Sequence, residues 1–153
     1  LGLALMHRAK RSGTPFPRAI ALLSPWCDLT NSGSSLVDND GRDPVLTKQH
    51  LDFAAKCYGK ENNLADTDIS PMNGKFDSTF PPCYISTGTR DLLMSQSICL
   101  ANKLREHGVK VDLRVWEDLW HVFEWDNNLP EAKASIGAIS EFLTHHMNKI
   151  CGG

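Results

Sequence analysis

Two short polar segments follow apolar, strand-like runs, and each contains one residue capable of proton chemistry. Asp91 lies in the segment Ser86–Leu93, and His121 lies thirty positions later in the segment Val115–Phe123. A carboxylate that hydrogen bonds to one imidazole nitrogen leaves the other nitrogen to take a proton from a hydroxyl. An acid followed by a histidine is the second half of a triad that begins with a serine nucleophile. Asp91 and His121 are therefore the candidate catalytic residues.

The nucleophile of such a triad has no obvious counterpart in the sequence. The motif Gly-x-Ser-x-Gly, a strained strand-to-helix turn that exposes a serine, does not occur in the 153 residues. Ser24 and Ser86 follow or end strand-like runs, but we expect neither in a strained turn of this kind. An acid and a base alone can move protons, but they cannot form a covalent acyl intermediate or hold an oxyanion. We therefore expect the 153 residues alone to be nearly inactive.

Structural roles for the same residues stay open at this point. Asp91 is also well placed to cap the helix predicted from Ser95, and His121 is also placed to be a partly buried structural histidine. Glu117 and Asp118 are rival acids, but they share the loop of His121 instead of facing it from another loop.

The tryptophans near His121 have two interpretations. Trp116, Trp120 and Trp125 can line an acyl pocket, or they can pack around the histidine loop. Asp28 is expected to fix the turn Trp26–Thr30.

The cysteines and histidines show no convincing metal or disulfide pattern. The five cysteines are odd in number and contain no Cys-x-x-Cys, which favours free thiols in a reducing cytoplasm. His145, His146 and Cys151 are a weak candidate metal set, because adjacent histidines on a helix point about 100° apart. The glycine-rich phosphate-binding motifs are absent too. The expectation is therefore no metal and no cofactor.

The composition is ordinary for a globular domain. Hydrophobic residues make up 41% and charged residues 22%, and the net charge is −2, which gives no reason to expect nucleic acid or an anionic membrane as partner. Apolar runs such as Ala19–Leu23 are too short to span a bilayer. The chain starts at Leu1 without an initiator methionine or a signal peptide, so we expect an interior position of a longer, cytoplasmic protein.

Hydrophobic periodicity predicts helices and strands in alternation, which indicates a parallel sheet with helices on both faces. Starting with a helix, the predicted elements are residues 1–11, 18–24, 47–58, 83–87, 95–106, 109–116 and 130–148. The strand at 18–24 is expected to be buried on both faces, and the one at 109–116 to lie half exposed near a sheet edge. Because functional groups gather at the carboxyl ends of parallel strands, we expect Asp91 and His121 at one edge of the sheet.

Five segments resemble, in the same order, those of the bacterial hormone-sensitive-lipase-like esterases, an α/β-hydrolase family. They are Ser24–Thr30, Asp43–Thr47, Ile69–Met72, Gly88–Leu93 and His121–Phe123. The fourth is similar to the segment of the catalytic acid, and the fifth to the His-Gly-Phe of the catalytic base, which implies these roles for Asp91 and His121. Val122 replaces the usual glycine, which we expect to be mild, and Leu92 stands where many members have proline.

The resemblance also implies what residues 1–153 are. In the family, the nucleophile and the His-Gly-Gly-Gly oxyanion loop precede the segment that Leu1–Met6 resembles. The chain is then the C-terminal part of an α/β-hydrolase fold, a partial domain with about three parallel strands flanked by helices in an incomplete sheet. The parent protein would hydrolyse small acyl esters without a cofactor.

The partners that the resemblance implies are copies or parts of the same protein. In the family a homodimer often forms through the segments matching 109–116 and 130–148, and the strand matching Ala19–Ser24 pairs with the strand that leads to the nucleophile. The alternative is a catalytically inert fragment that self-associates or complements an N-terminal chain, because the free edge of that strand is a site for further strand pairing.

Overall fold

The computed structural model describes residues 1–148, in which three parallel strands alternate with helices. The elements are α1 (Gly2–Ser12), β1 (Ile20–Leu23), α2 (Ser35–Asp38), α3 (Lys48–Gly59), β2 (Cys83–Gly88), α4 (Met94–Glu106), β3 (Val111–Trp116) and α5 (Pro130–Asn148). The predicted order of strands and long helices is confirmed. The differences are boundary shifts and the short helix α2, which lies in a stretch expected to be irregular.

The sheet has the order β1–β2–β3, with β2 at its centre. Both pairs are parallel, and Cys83 of β2 is in register with Ile20 of β1 and Val111 of β3. The six residues of β2 are buried. Leu100 and Leu104 of α4 belong to the core cluster that contains Cys83. The predicted parallel α/β architecture is therefore confirmed.

The strand β1 departs from the prediction. Its residues 20–23 are only half-buried, although the apolar run predicted burial on both faces. Within the described residues β1 pairs with β2 alone, so its other edge and part of its faces have no neighbouring strand to cover them.

The strand β3 follows the predicted alternation only in its first half. Val111 and Leu113 pack against the core, but Val115 is 43% exposed. Trp116, expected on the exposed face, packs against Phe123 with 5.7 Å between the ring centroids. The size of the indole and the nearby cluster around Phe123 override the alternation.

The irregular stretch between α3 and β2 is fastened to α1 through His7. The His7 Nε2–H donates to the Pro71 carbonyl at 2.9 Å, and the ring lies 4.9 Å from that of Phe76. A Cβ on Gly74 would stand 2.1 Å from the His7 ring, so a side chain there does not fit. None of the helices within residues 1–148 combines the length and apolar character needed to cross a membrane.

Candidate active site

The carboxylate of Asp91 is fully buried three residues beyond the end of β2. It lies 3.2 Å from Nδ1 of His121, and it accepts the Thr87 hydroxyl and the Leu93 N–H, each at 2.8 Å. The bond to Leu93 closes the turn ahead of α4, but the N-cap of this helix is Leu93 and it has no side-chain cap, so Asp91 does not have the capping role considered as an alternative. The additional bond to His121 brings the two candidate catalytic residues together.

The surroundings of Asp91 favour its ionised form. Burial alone would raise the pKa of this carboxyl, but the hydrogen bonds from His121, Ser24 and Leu93 and the charge of His121 lower it below its usual value. A carboxylate that accepts several hydrogen bonds stays ionised even where water is excluded. Asp91 is thus an anion at neutral pH, as a group that orients an imidazole and stabilises its cation must be.

The loop that carries His121 meets the loop that carries Asp91 through the backbone. The Arg90 N–H donates to the Leu119 carbonyl at 2.9 Å. A Cβ on Gly88, the last residue of β2, would stand only 2.0 Å from that carbonyl oxygen. The two loops approach this closely because Gly88 has no side chain, a constraint that the sequence analysis missed.

Val122, the residue after His121, has a left-handed backbone with φ 49° and ψ 46°. A β-branched residue rarely adopts this region, and for an L-residue it costs about 1–2 kcal/mol. The exchange of the family's usual glycine for valine is therefore less mild than expected from the sequence.

The rival acids lie elsewhere. The side chain of Asp118 is 78% exposed and lies 3.8 Å from the Arg90 guanidinium, and Glu117 is exposed. Among residues 1–148, Asp91 is the acid that pairs with His121.

The carboxylate of Asp28 accepts hydrogen bonds within its own turn, and these lower its pKa despite burial, in agreement with the turn-fixing role expected for it.

The two serines considered as substitutes are both buried and hydrogen-bonded. Ser86 donates to Oε1 of Glu124 at 2.6 Å, which ties the turn after His121 to β2. Ser24 accepts the Val122 N–H at 3.1 Å. Ser24 has a left-handed backbone, with φ 45°, but the chain continues from it into a loop and not into a helix, so it does not form a strand-to-helix turn of that kind.

A groove of about 890 Å³ runs from the free edge of β1 past His121. Trp120 and Trp125 line it, whereas Trp116 does not and packs against Phe123 instead. The groove wall beside His121 is therefore aromatic, and one of the three tryptophans belongs to the packing of the loop.

The weak metal candidate gains no support from the described residues. Within 1–148 no three His, Cys, Asp or Glu side chains cluster as metal ligands would. The rings of His145 and His146 are 5.1 Å apart, and Cys151 lies outside the described residues. The four described cysteines are free thiols: Cys27, Cys57, Cys83 and Cys99.

A parallel sheet with a buried acid and a histidine beyond adjacent strand ends is an arrangement found in α/β-hydrolases. The chain belongs to that family, since a model described as the alpha/beta hydrolase fold matches residues 1–125.

Individual relatives are esterases. The chain is 31% identical to an esterase of Acinetobacter venetianus, over 94% of this chain and 48% of that protein. It is 30% identical to an acetyl-hydrolase of Streptomyces hygroscopicus with the same coverage. A crystal structure of an esterase from the bacterial hormone-sensitive lipase family superimposes with a TM-score of 0.89 at 30% identity, covering 95% of this chain and 49% of that one. The chain thus spans about half the length of these relatives, and the predicted family resemblance is confirmed.

Proposed function

We propose that the protein to which this chain belongs hydrolyses small carboxylic esters with a Ser–His–Asp triad. The observation that carries the proposal is the buried Asp91 carboxylate, hydrogen-bonded to Nδ1 of His121 beside an open groove. The esterase and acetyl-hydrolase relatives support it. Residues 1–153 are then one partial domain, and the nucleophile and oxyanion loop lie in residues that precede Leu1.

In the proposed mechanism His121 transfers the proton, and Asp91 holds the imidazole in the orientation that this transfer needs. The bond to Asp91 keeps a hydrogen on Nδ1, so Nε2 takes the proton of the serine hydroxyl as the serine oxygen attacks the ester carbonyl. His121 then donates this proton to the leaving alkoxide. A water molecule then attacks the acyl carbonyl and gives a proton to Nε2, and His121 returns this proton to the serine oxygen as the acyl–serine bond breaks and the acid leaves. Asp91 stabilises the imidazolium formed in each half-reaction.

The test is ester hydrolysis by the full-length protein and its variants. His121→Ala should lower kcat by about 10⁶-fold and Asp91→Asn by about 10⁴-fold, as the loss of a triad histidine or aspartate does elsewhere. His50→Ala, at an exposed position of α3, is the matched control and should leave kcat unchanged. Full activity in the His121→Ala variant would contradict the proposal.

A second candidate is an inert half-domain that pairs along β1, and the exposed surface favours it. Ala21–Leu23 of the edge strand line the groove, and Leu1 and Leu5 of the adjacent region are 97% and 57% exposed. This candidate predicts that the 153-residue chain forms oligomers or captures an N-terminal chain. A stable monomer in sedimentation experiments at low micromolar concentration would count against it, and also against the family's homodimer through β3 and α5.

The cellular location is a further part of the proposal. The free thiols suit a reducing compartment, and we propose the cytoplasm. Fractionation of the native host's cells tests this location. Recovery of the protein in the cytoplasmic fraction would support it, and recovery in another fraction would contradict it.

A further inference from the structure

Ser24 lies where three chain segments meet beside the Asp91–His121 pair. It directly follows β1, is 3% exposed, and donates its backbone N–H to the Ser86 carbonyl of β2 at 2.7 Å. Its hydroxyl accepts the Val122 N–H at 3.1 Å, and Ser24 contributes to the lowered pKa of the Asp91 carboxyl. Ser24 therefore joins the residue after His121 to β2, the strand that Asp91 follows.

The hydrogen bonds of Ser24 join parts of the chain that are far apart in sequence. Its hydroxyl has two lone pairs, and one of them accepts the Val122 N–H in the loop of His121. Its backbone N–H is bonded to β2 at the Ser86 carbonyl. Thr87 and Leu93 donate to Asp91, but they belong to the same chain segment as Asp91. Ser24 instead connects the loop of His121 to the sheet from β1.

The backbone of Ser24 points to a role for its side chain. Its φ of 45° lies in the left-handed region, which residues with a side chain rarely adopt and which glycine adopts readily. A turn that needed only this backbone shape would be better served by glycine. The presence of serine favours a function for the hydroxyl.

We propose that Ser24 is a positioning residue that holds the loop of His121 at bonding distance from Asp91. The inference rests on the proposed function, because it concerns the geometry of the same pair. Ser24 acts through Asp91 and His121, so loss of its hydroxyl should lower kcat and leave KM unchanged. A hydrogen bond between uncharged groups corresponds to about a 2- to 10-fold effect, and we expect a fall in kcat of that size.

The experiment compares Ser24→Gly and Ser24→Ala in the full-length protein. Glycine removes the hydroxyl and relieves the left-handed backbone, so the relief of strain offsets the lost hydrogen bond in part, and this variant should fold and still lose kcat. Ser97→Ala is the matched control, since Ser97 is fully buried and its hydroxyl donates to the carbonyl of Leu93, the residue just before α4. This control should retain its kcat. A Ser24→Gly variant with wild-type kcat would overturn the proposal.

A spectroscopic readout separates positioning from a general structural role. In the wild-type protein, NMR should show a downfield Nδ1–H proton of His121, which is hydrogen-bonded to Asp91. In Ser24→Gly this signal should weaken or disappear, and in Ser97→Ala it should stay. An unchanged signal in Ser24→Gly would refute the positioning role.

The two proposals fail in different ways. If the wild-type protein hydrolyses no ester, or if His121→Ala is as active as the wild type, the proposed function falls. If His121→Ala is inactive while Ser24→Gly keeps both its kcat and its Nδ1–H signal, only the role of Ser24 falls.

Discussion

Replacing Gly88 by alanine should separate His121 from Asp91 without touching either side chain. The added Cβ would stand 2.0 Å from the Leu119 carbonyl oxygen and 2.4 Å from its carbon, and contacts under 3.0 Å are essentially never found for a Cβ. The loop before His121 must therefore retreat by about 1 Å or more. Nδ1 of His121 now lies 3.2 Å from the Asp91 carboxylate. A retreat of that size would place the two groups beyond hydrogen-bonding distance.

The expected losses follow from this displacement. Forcing extra volume into a packed site costs about 1–3 kcal/mol of unfolding free energy, which urea titration measures. A displacement of about 1 Å in a catalytic group can cost about 100-fold in rate, so kcat for ester hydrolysis by the full-length Gly88→Ala protein should fall by about that factor.

Two other glycines provide controls for Gly88→Ala. Gly137 lies inside α5 with nothing within 4 Å of an added Cβ, so Gly137→Ala should stabilise the helix by up to about 1 kcal/mol and leave kcat unchanged. Gly74→Ala would meet the His7 ring at 2.1 Å and should lower stability, with kcat retained at a temperature where the variant is folded. Wild-type stability and kcat in Gly88→Ala would refute the reasoning.

Two further predictions concern stability. At Val122, whose φ is 49°, glycine should be more stable than alanine by about 0.5–1 kcal/mol, because relief of left-handed strain exceeds the added entropy of the unfolded chain. At Val115 in β3 the alanine variant should be more stable than the glycine variant. If urea unfolding gave the glycine variant the higher stability at both sites, the assignment of strain to Val122 would be contradicted. Burial lowers the pKa of His7 from 6.5, so the unfolded chain binds its proton more readily. Stability should be full above pH 6.5 and decline as the pH falls below it, and His7→Asn should flatten this dependence; an equally steep decline in His7→Asn would exclude His7 as its cause.

The core of the fold could be predicted because its signals are local. The apolar run at Cys83–Thr87 became the central strand, and Thr47 caps α3 with its hydroxyl as expected. The meeting of Asp91 and His121 also followed from a general rule, since adjacent parallel strands end at the same edge of a sheet. That the pair is catalytic stays a prediction.

Other features depended on contacts that no local pattern records. The run before Ser24 predicted burial on both faces, but its residues are half-buried, because burial depends on tertiary neighbours that an apolar run does not record. The bond from Val122 to Ser24 joins residues 98 positions apart. The requirement for glycine at Gly88 comes from the path of another loop.

The central claim is that a serine outside this chain uses His121 as its base, and fluorophosphonate labelling tests it most directly. The 17.0 kDa chain should take up no adduct in intact-mass measurements. The full-length protein should take up one adduct, on a serine outside residues 1–153, and lose the labelling in the His121→Ala variant. An adduct on a serine within residues 1–153, or undiminished labelling of the His121→Ala variant, would contradict the account.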